Sequence, residues 1–309
     1  MCTAIVIYDK NILFGRNMDL DYDLKQKAIY LPKGYEIDFK KENSINTDYR
    51  ILGIGVIKDN YPLLADAINE KGVGFAGLAF KDNCKYYELD LHKKNYAPYE
   101  FVLYILGKCK SIEEIRSFLN NLNIVDIPFS KDIFNTPLHF IFVDKTKSIV
   151  VETTSFGMKI YDNFFNVLTN NPKFSYHKEN VKNYISLNNS LPINHLLKGL
   201  DIKPFSYNQA ALGLPGDFSS ASRFIKVLYV KNNLVLDGSS NDILEFFKCL
   251  GSVSMIKGSV KTENGFETTR YTSCYDLKAF KLYYKSYYAE KISSIDPKDF
   301  KDQVKIIDI

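Results

Sequence analysis

The sequence predicts an α+β fold in one domain. Three observations carry that reading: strand-like segments run together at both ends of the chain, helical segments gather between those runs, and no Pro/Gly/Ser linker, internal repeat or low-complexity tract separates them. A parallel βαβ unit would instead alternate single strands with single helices.

The elements follow in order. Residues 3–8 form an apolar, β-branched run, Asp9, Lys10 and Asn11 a turn, and residues 12–17 a second run, which together predict a hairpin at the amino terminus. Segments rich in β-branched or aromatic residues predict strands at 27–31, 50–57, 72–79, 138–143, 147–153, 158–162 and 165–169, and again at 267–273 and 279–285. Helical spacing occurs at 98–108 and at 111–121, where Ser111 and Glu114 have the spacing of a capping box. It recurs at 221–231 and, after Asn241, at 241–250.

Composition narrows the functional classes. A chain of 309 residues with 46% hydrophobic and 25% charged content can bury a large core. The net charge of +4 arises from 40 basic and 36 acidic residues spread along the chain. Pairs such as Lys40–Lys41 and Lys93–Lys94 read as solvated faces, so no nucleic-acid partner is expected. Five widely spaced cysteines, an odd number with no C-x-x-C pair, argue against a disulfide framework or structural zinc. No segment has the form of a secretory signal, and no run approaches the roughly 18 apolar residues of a membrane span. A cytoplasmic location is expected. Nothing has the spacing of a phosphate loop, a dinucleotide fingerprint or a metal-binding helix, so neither a cofactor nor a metal is expected; Gly72, Gly74 and Gly77 belong to a Gly-rich strand.

The residues able to carry chemistry begin at Cys2. A small residue after the initiator favours loss of Met1, which leaves a thiol and a free α-amine on one residue. The amine titrates near ~8 and the thiol near ~8.5, so proton transfer between them is close to thermoneutral. The hairpin returns Gly15–Asp19 beside Cys2, where Arg16 could favour a thiolate and Asp19 could orient the α-ammonium group. Residues 168–172 end a strand at an Asn-Asn-Pro turn, and an amide side chain mounted there is a good oxyanion donor. Residues 213–223 form a Gly/Pro loop leading to a Ser-capped helix with Arg223 in its first turn, where the helix dipole disfavours a cation. An anion such as Asp19 would resolve that conflict. A rival arrangement pairs a mid-chain thiol, Cys109 or Cys249, with His139 or His177.

Taken in order, Met1–Thr3, Gly15–Asp19, Asn69–Gly72, Thr169–Pro172, Gly213–Asp217 and Ser222–Phe224 resemble the choloylglycine hydrolase family, which includes bile salt hydrolases and penicillin V acylases. The resemblance runs from Cys2 to about residue 300. It implies the N-terminal-nucleophile αββα sandwich, two antiparallel sheets between helical layers, in a single domain of residues 2–309, and usually a homotetramer. It also implies roles: Cys2 as nucleophile and base, Arg16 and Arg223 supporting the thiolate and positioning Asp19, Asp19 binding the α-amine, and Asn170 donating its side-chain amide to the oxyanion. Ala79 would supply the second oxyanion donor through its backbone N–H. Bile salt members generally carry Asn there and penicillin members often Tyr, so this position bears on substrate choice. The pocket walls carried over are Met18, Leu20, Ala65, Ile133 and Phe134. The implied reaction is hydrolysis of a linear amide, foremost conjugated bile salts. Penicillin V or N-acyl homoserine lactones are the alternatives, and a non-catalytic binding protein the remote one.

Overall fold

In the computed structural model, which describes residues 1–309, the amino-terminal hairpin comprises β1 (Cys2–Tyr8) and β2 (Ile12–Leu20), paired from Cys2↔Met18 to Tyr8↔Ile12. It forms the centre of a six-stranded antiparallel sheet. Val167–Leu168 flanks β1, and Thr268–Asp276, Lys281–Ser286 and Ser293–Ile295 continue outward from β2. The second sheet has eight antiparallel strands in the order Gly157–Asp162, Ser148–Thr154, Leu138–Val143, Gly74–Ala79, Tyr61–Asn69, Ile51–Lys58, Lys27–Leu31 and Lys305–Asp308.

Strand periodicity makes this an αββα sandwich. Within the eight-stranded sheet Ala28, Tyr30, Leu52, Ile54, Ala76, Leu78, Ile141, Val143 and Val150 face the six-stranded sheet. Their neighbours Ile29, Leu31, Ile51, Phe75, Phe140, Phe142, Ile149 and Val151 face the other way, onto α1 (Pro98–Lys108) and α2 (Ile112–Leu119). With both faces covered, these strands read as continuous apolar runs. On the far side of the six-stranded sheet lie α3 (Phe174–Asn180), α4 (Ser220–Asn232) and α5 (Asn241–Gly251), with Phe224, Ile225, Phe246 and Leu250 in the same core as β1 and β2. Each fully buried side chain of this size contributes about 1.5–3 kcal/mol relative to exposure.

Local signals set the helix ends. Pro98 opens α1, where Glu100 reaches back to the Ala97 N–H at 2.8 Å. Ser111 caps α2 and Ser219 caps α4, accepting from the N–H groups of Glu114 and Ser222. No helix is long and apolar enough to cross a membrane.

The structure departs from the sequence reading in several places. Tyr61–Asn69 is a central strand that the periodicity did not disclose, because a bulge between Leu64 and Asp66 breaks its alternation and Pro62 stands near its start. The expected strand at 165–169 contracts to Val167–Leu168, since Asn166 takes φ of 54°. The strand expected at 12–17 runs on to Leu20, and α3 and the closing strand Lys305–Asp308 were not expected.

Candidate active site

The site is built on the open end of the amino-terminal hairpin. Alternation sends Cys2, Arg16 and Met18 to the face of the sheet that meets the second sheet, and Thr3, Asn17 and Asp19 to the face that meets α4 and α5. Arg16 and Asp19 are therefore on opposite sides of β2. The Cys2 Sγ lies 3.9 Å from Met18 Sδ. Arg16, fully buried, donates through Nη1 to the Gly77 carbonyl at 2.5 Å and to that of Ala65 at 3.4 Å. The bulge at Ala65 aims that carbonyl at the guanidinium. Burial works against the charge of Arg16, but Cys2, Tyr271, Asp66 and Asp19 together outweigh it and hold its pKa above the ordinary value.

On the other face, Asp19 accepts from Thr269 Oγ1 at 2.6 Å, while its second carboxylate oxygen is buried without a partner. Burial raises its pKa against the opposing pull of Arg223 and the terminal ammonium group. Met1 precedes Cys2, and its ammonium group donates to the Asp19 carbonyl at 2.7 Å and to Glu267 Oε1 at 2.6 Å. The Cys2 nitrogen is accordingly a peptide N–H, and it donates to Asn170 Oδ1 at 2.7 Å.

Asn170 stands where the strand Val167–Leu168 ends, and the Asn171–Pro172 peptide that follows is cis. Its Oδ1 accepts from Cys2 N–H and from Arg223 Nη2 at 2.8 Å. Two donors on one side fix the amide orientation, so Nδ2 turns to the Ala79 carbonyl at 2.9 Å. Arg223, in the first turn of α4, folds back over the amino end of the helix. It donates to Phe218 O at 3.0 Å, to Cys2 O at 2.6 Å and to Thr3 Oγ1 at 2.5 Å. Burial lowers its pKa, an effect that Asp19 and Cys2 oppose.

Ala79 ends the strand Gly74–Ala79. The Phe80 N–H donates to Pro137 O at 2.8 Å, which makes Ala79↔Leu138 a non-hydrogen-bonded pair of the antiparallel ladder. The N–H and C=O of Ala79 both turn away from Leu138, and the C=O there meets the Asn170 amide. The neighbouring ladder holds only Asp66↔Ala76, Ala67↔Phe75 and Ile68↔Gly74. Beyond those pairs the strands splay, and a cavity of about 240 Å³ fills the gap. Of its 22 lining residues 17 are hydrophobic, so the end lined by Cys2, Arg16 and Ala79 opens into an apolar chamber. Met18, Leu20, Ala65, Ile133 and Phe134 all lie in this wall; Phe134 is 75% exposed and stands at the rim.

Residues 2–301 match the model of the linear amide C–N hydrolases of the choloylglycine hydrolase type. The chain belongs to the choloylglycine hydrolase family. It is a hydrolase of linear amide C–N bonds. It is 39% identical to the bile salt hydrolase/transferase of Lactiplantibacillus plantarum, over 96% of this chain and 92% of that one. With the conjugated bile acid hydrolase of Lactobacillus gasseri it shares 35% identity, over 92% of each. A solved structure of conjugated bile acid hydrolase from Clostridium perfringens superposes with a TM-score of 0.92 at 38% identity, covering 99% of this chain and 96% of that one. The penicillin V acylase of Agrobacterium tumefaciens shares the fold, with a TM-score of 0.78 at 19% identity over 100% and 91% of the two chains.

The rival Cys-His arrangement is absent from this family member. His139 and His177 are engaged with carbonyl and carboxylate groups, and Cys109 and Cys249 are buried thiols pushed up to about 12, both chiefly by burial. Sequence reasoning did not find Thr3, Thr269 or Ser220, which hold Arg223, Asp19 and the Asn170 turn. The available signal was alternation: Thr3 and Thr269 are polar residues at inward positions of apolar strands.

Proposed function

We propose that this protein cleaves the amide joining a bile acid to glycine or taurine, through a thioester on Cys2. The observation that carries the reading is convergence. The Cys2 thiol and the outward-turned Ala79 peptide line one apolar cavity, and the Asn170 side chain joins them, accepting from Cys2 N–H and donating to the Ala79 carbonyl. Relatives at 35–39% identity over nearly the whole chain bear names of bile salt and conjugated bile acid hydrolases.

In this reading Met1 is removed and residues 2–309 form the working unit. The freed α-amine of Cys2 keeps its place against Asn170 Oδ1, and the uncommitted Asp19 carboxylate oxygen is a further acceptor for it. The amine takes the thiol proton as sulfur attacks the substrate carbonyl. The oxyanion formed accepts from Asn170 Nδ2 and Ala79 N–H, with the Arg16 guanidinium adding positive charge beside the sulfur. On collapse the C–N bond breaks, and the α-ammonium passes its proton to the departing nitrogen. Water, deprotonated by the same amine, then hydrolyses the thioester to the free acid. Met18, Leu20, Ala65, Ile133 and Phe134 would hold the apolar acyl group.

Five unpaired cysteines, four of them buried, suit the reducing cytoplasm. The homotetramer that the resemblance implies would cover exposed apolar side chains such as Ile193, Leu196, Phe205 and Leu212. Penicillin V acylase activity is the second reading, favoured by Tyr99 and Phe129 in the cavity wall, which suit an aryl ring. Hydrolysis of a panel of glycine- and taurine-conjugated bile salts beside penicillin V decides between them. Turnover confined to penicillin V would replace the first reading with the second.

A further inference from the structure

We propose that His139, held by Glu152, and His177 are positioning residues that fix Asn170 for catalysis. The inference rests on the reading of Asn170 as oxyanion donor and extends it to residues with no assigned role.

Three backbone polar atoms at Asn170 are held by buried side chains. The Asn170 N–H donates to Ser220 Oγ at 2.8 Å. The carbonyl before it, that of Thr169, receives His139 Nε2 at 2.8 Å, and the Asn170 carbonyl receives His177 Nε2 at 3.1 Å. Both rings are wholly buried. A carbonyl only accepts, so both Nε2 atoms carry a proton. His139 Nδ1 lies 3.1 Å from Glu152 Oε1, an oxygen that also accepts the Phe174 N–H at 2.8 Å. One carboxylate thus orients the imidazole and ties it to the first residue of α3, which also carries His177. Aromatic stacking fixes both ring planes, His139 on Phe80 at 4.4 Å and His177 on Phe224 at 4.8 Å.

Each of the two peptide planes flanking Asn170 is therefore held by an imidazole, and the Asn170 Cα between them has little freedom. The side-chain amide inherits that rigidity. Neither ring lines the cavity, and the Nε2 hydrogen bonds of both run to the backbone at Asn170, through which the pair acts on the reaction. An oxyanion donor contributes through preorganisation, and a misplacement of about 1 Å costs on the order of 10²-fold in rate.

A double-mutant cycle on the mature enzyme tests the coupling. His139→Phe keeps the stack on Phe80 and removes both ring nitrogens, whereas His139→Gln retains a donor near Nε2. We expect His139→Phe to lower kcat about 10- to 100-fold with KM within about twofold, and His139→Gln to recover most of that loss. In an Asn170→Ala background His139→Phe should cost less than about threefold more, because the group it positions is gone. An equal loss in both backgrounds, or full kcat in a folded His139→Phe enzyme, overturns the proposal. Should His139→Phe fail to fold, His177→Phe applies the same cycle to the Asn170 carbonyl with the same expectations. Full kcat in Asn170→Ala alone would remove Asn170 from the oxyanion site, and the proposal with it. That outcome is read from the single variant, whereas failure of the coupling is read from the cycle.

Discussion

Replacing Ala79 by proline deletes one hydrogen-bond donor while leaving the sheet intact. The ladder bond at this end of the strand runs from Phe80 N–H to Pro137 O, and the Ala79 N–H faces the site, so the pyrrolidine ring removes no strand pairing. Leu78, the residue before it, is already extended within the strand, as a residue preceding proline requires. The variant should therefore fold, with a circular dichroism spectrum and melting curve like those of the parent. It should nonetheless lose one of two oxyanion donors, a loss of about 10²–10³ in kcat, or about 2.7–4 kcal/mol of transition-state stabilisation. The loss should be equal on glycine-conjugated, taurine-conjugated and aryl-acyl substrates, because the oxyanion is common to all. Ala79→Asn makes the opposite test: it keeps the N–H and adds a side chain to the cavity wall. It should alter the ratio of kcat/KM between bile salts and penicillin V while leaving Cys2 alkylation by iodoacetamide unchanged. A folded Pro variant with full kcat, or an Asn variant whose Cys2 no longer alkylates, would refute the placement of Ala79.

Three further predictions concern other links of the account. Asn170→Asp is nearly isosteric but sets an oxygen against the Ala79 carbonyl and removes the donor, so kcat should fall by at least about 10²-fold; an effect on KM alone would make Asn170 a substrate-positioning residue. Gly15→Ala would place a methyl group 1.9 Å from the Ser273 backbone oxygen, where β2 is confined between two strands, so soluble yield should collapse; a normally melting variant would contradict the β2 register. His177, stacked on Phe224 and near Arg223, His139 and Glu152, is lowered from 6.5 to about 4, chiefly by burial. The unfolded chain thus takes up this proton before the folded one does. Stability is complete above pH 6.5 and declines as pH falls toward 4. The gap of about 2.5 pH units corresponds to on the order of 3 kcal/mol. Urea midpoints of parent and His177→Gln at pH 7 and pH 4.5 should show a smaller acid loss in the variant, and equal losses would count against it.

The parts of the fold legible in the sequence were those governed by local rules. The hairpin of β1 and β2, the strands Lys27–Leu31 and Leu138–Val143, and α1 emerge at the expected positions because turn, β-branched run and cap agree there. Tyr61–Asn69 was hidden because its bulge serves the site rather than the pattern: it directs the Ala65 carbonyl to Arg16 and opens the cavity. The resemblance has Arg16 positioning Asp19, but an odd spacing on a strand puts the two on opposite faces. Asn170 was visible as a residue of a strand-ending turn, whereas the histidines that hold it come from a distant strand and from a helix with no clear start signal. Contacts of that kind are set by tertiary packing and leave no local trace.

The central claim is that Cys2, freed of Met1, carries the acyl group. Mass spectrometry of enzyme quenched during turnover of a conjugated bile salt tests it most directly. The expected result is an amino-terminal peptide that begins at Cys2 and carries the bile acyl mass, released by hydroxylamine and absent from Cys2→Ser. Turnover by enzyme that uniformly retains Met1, or an acyl group trapped on any other residue, would contradict the account.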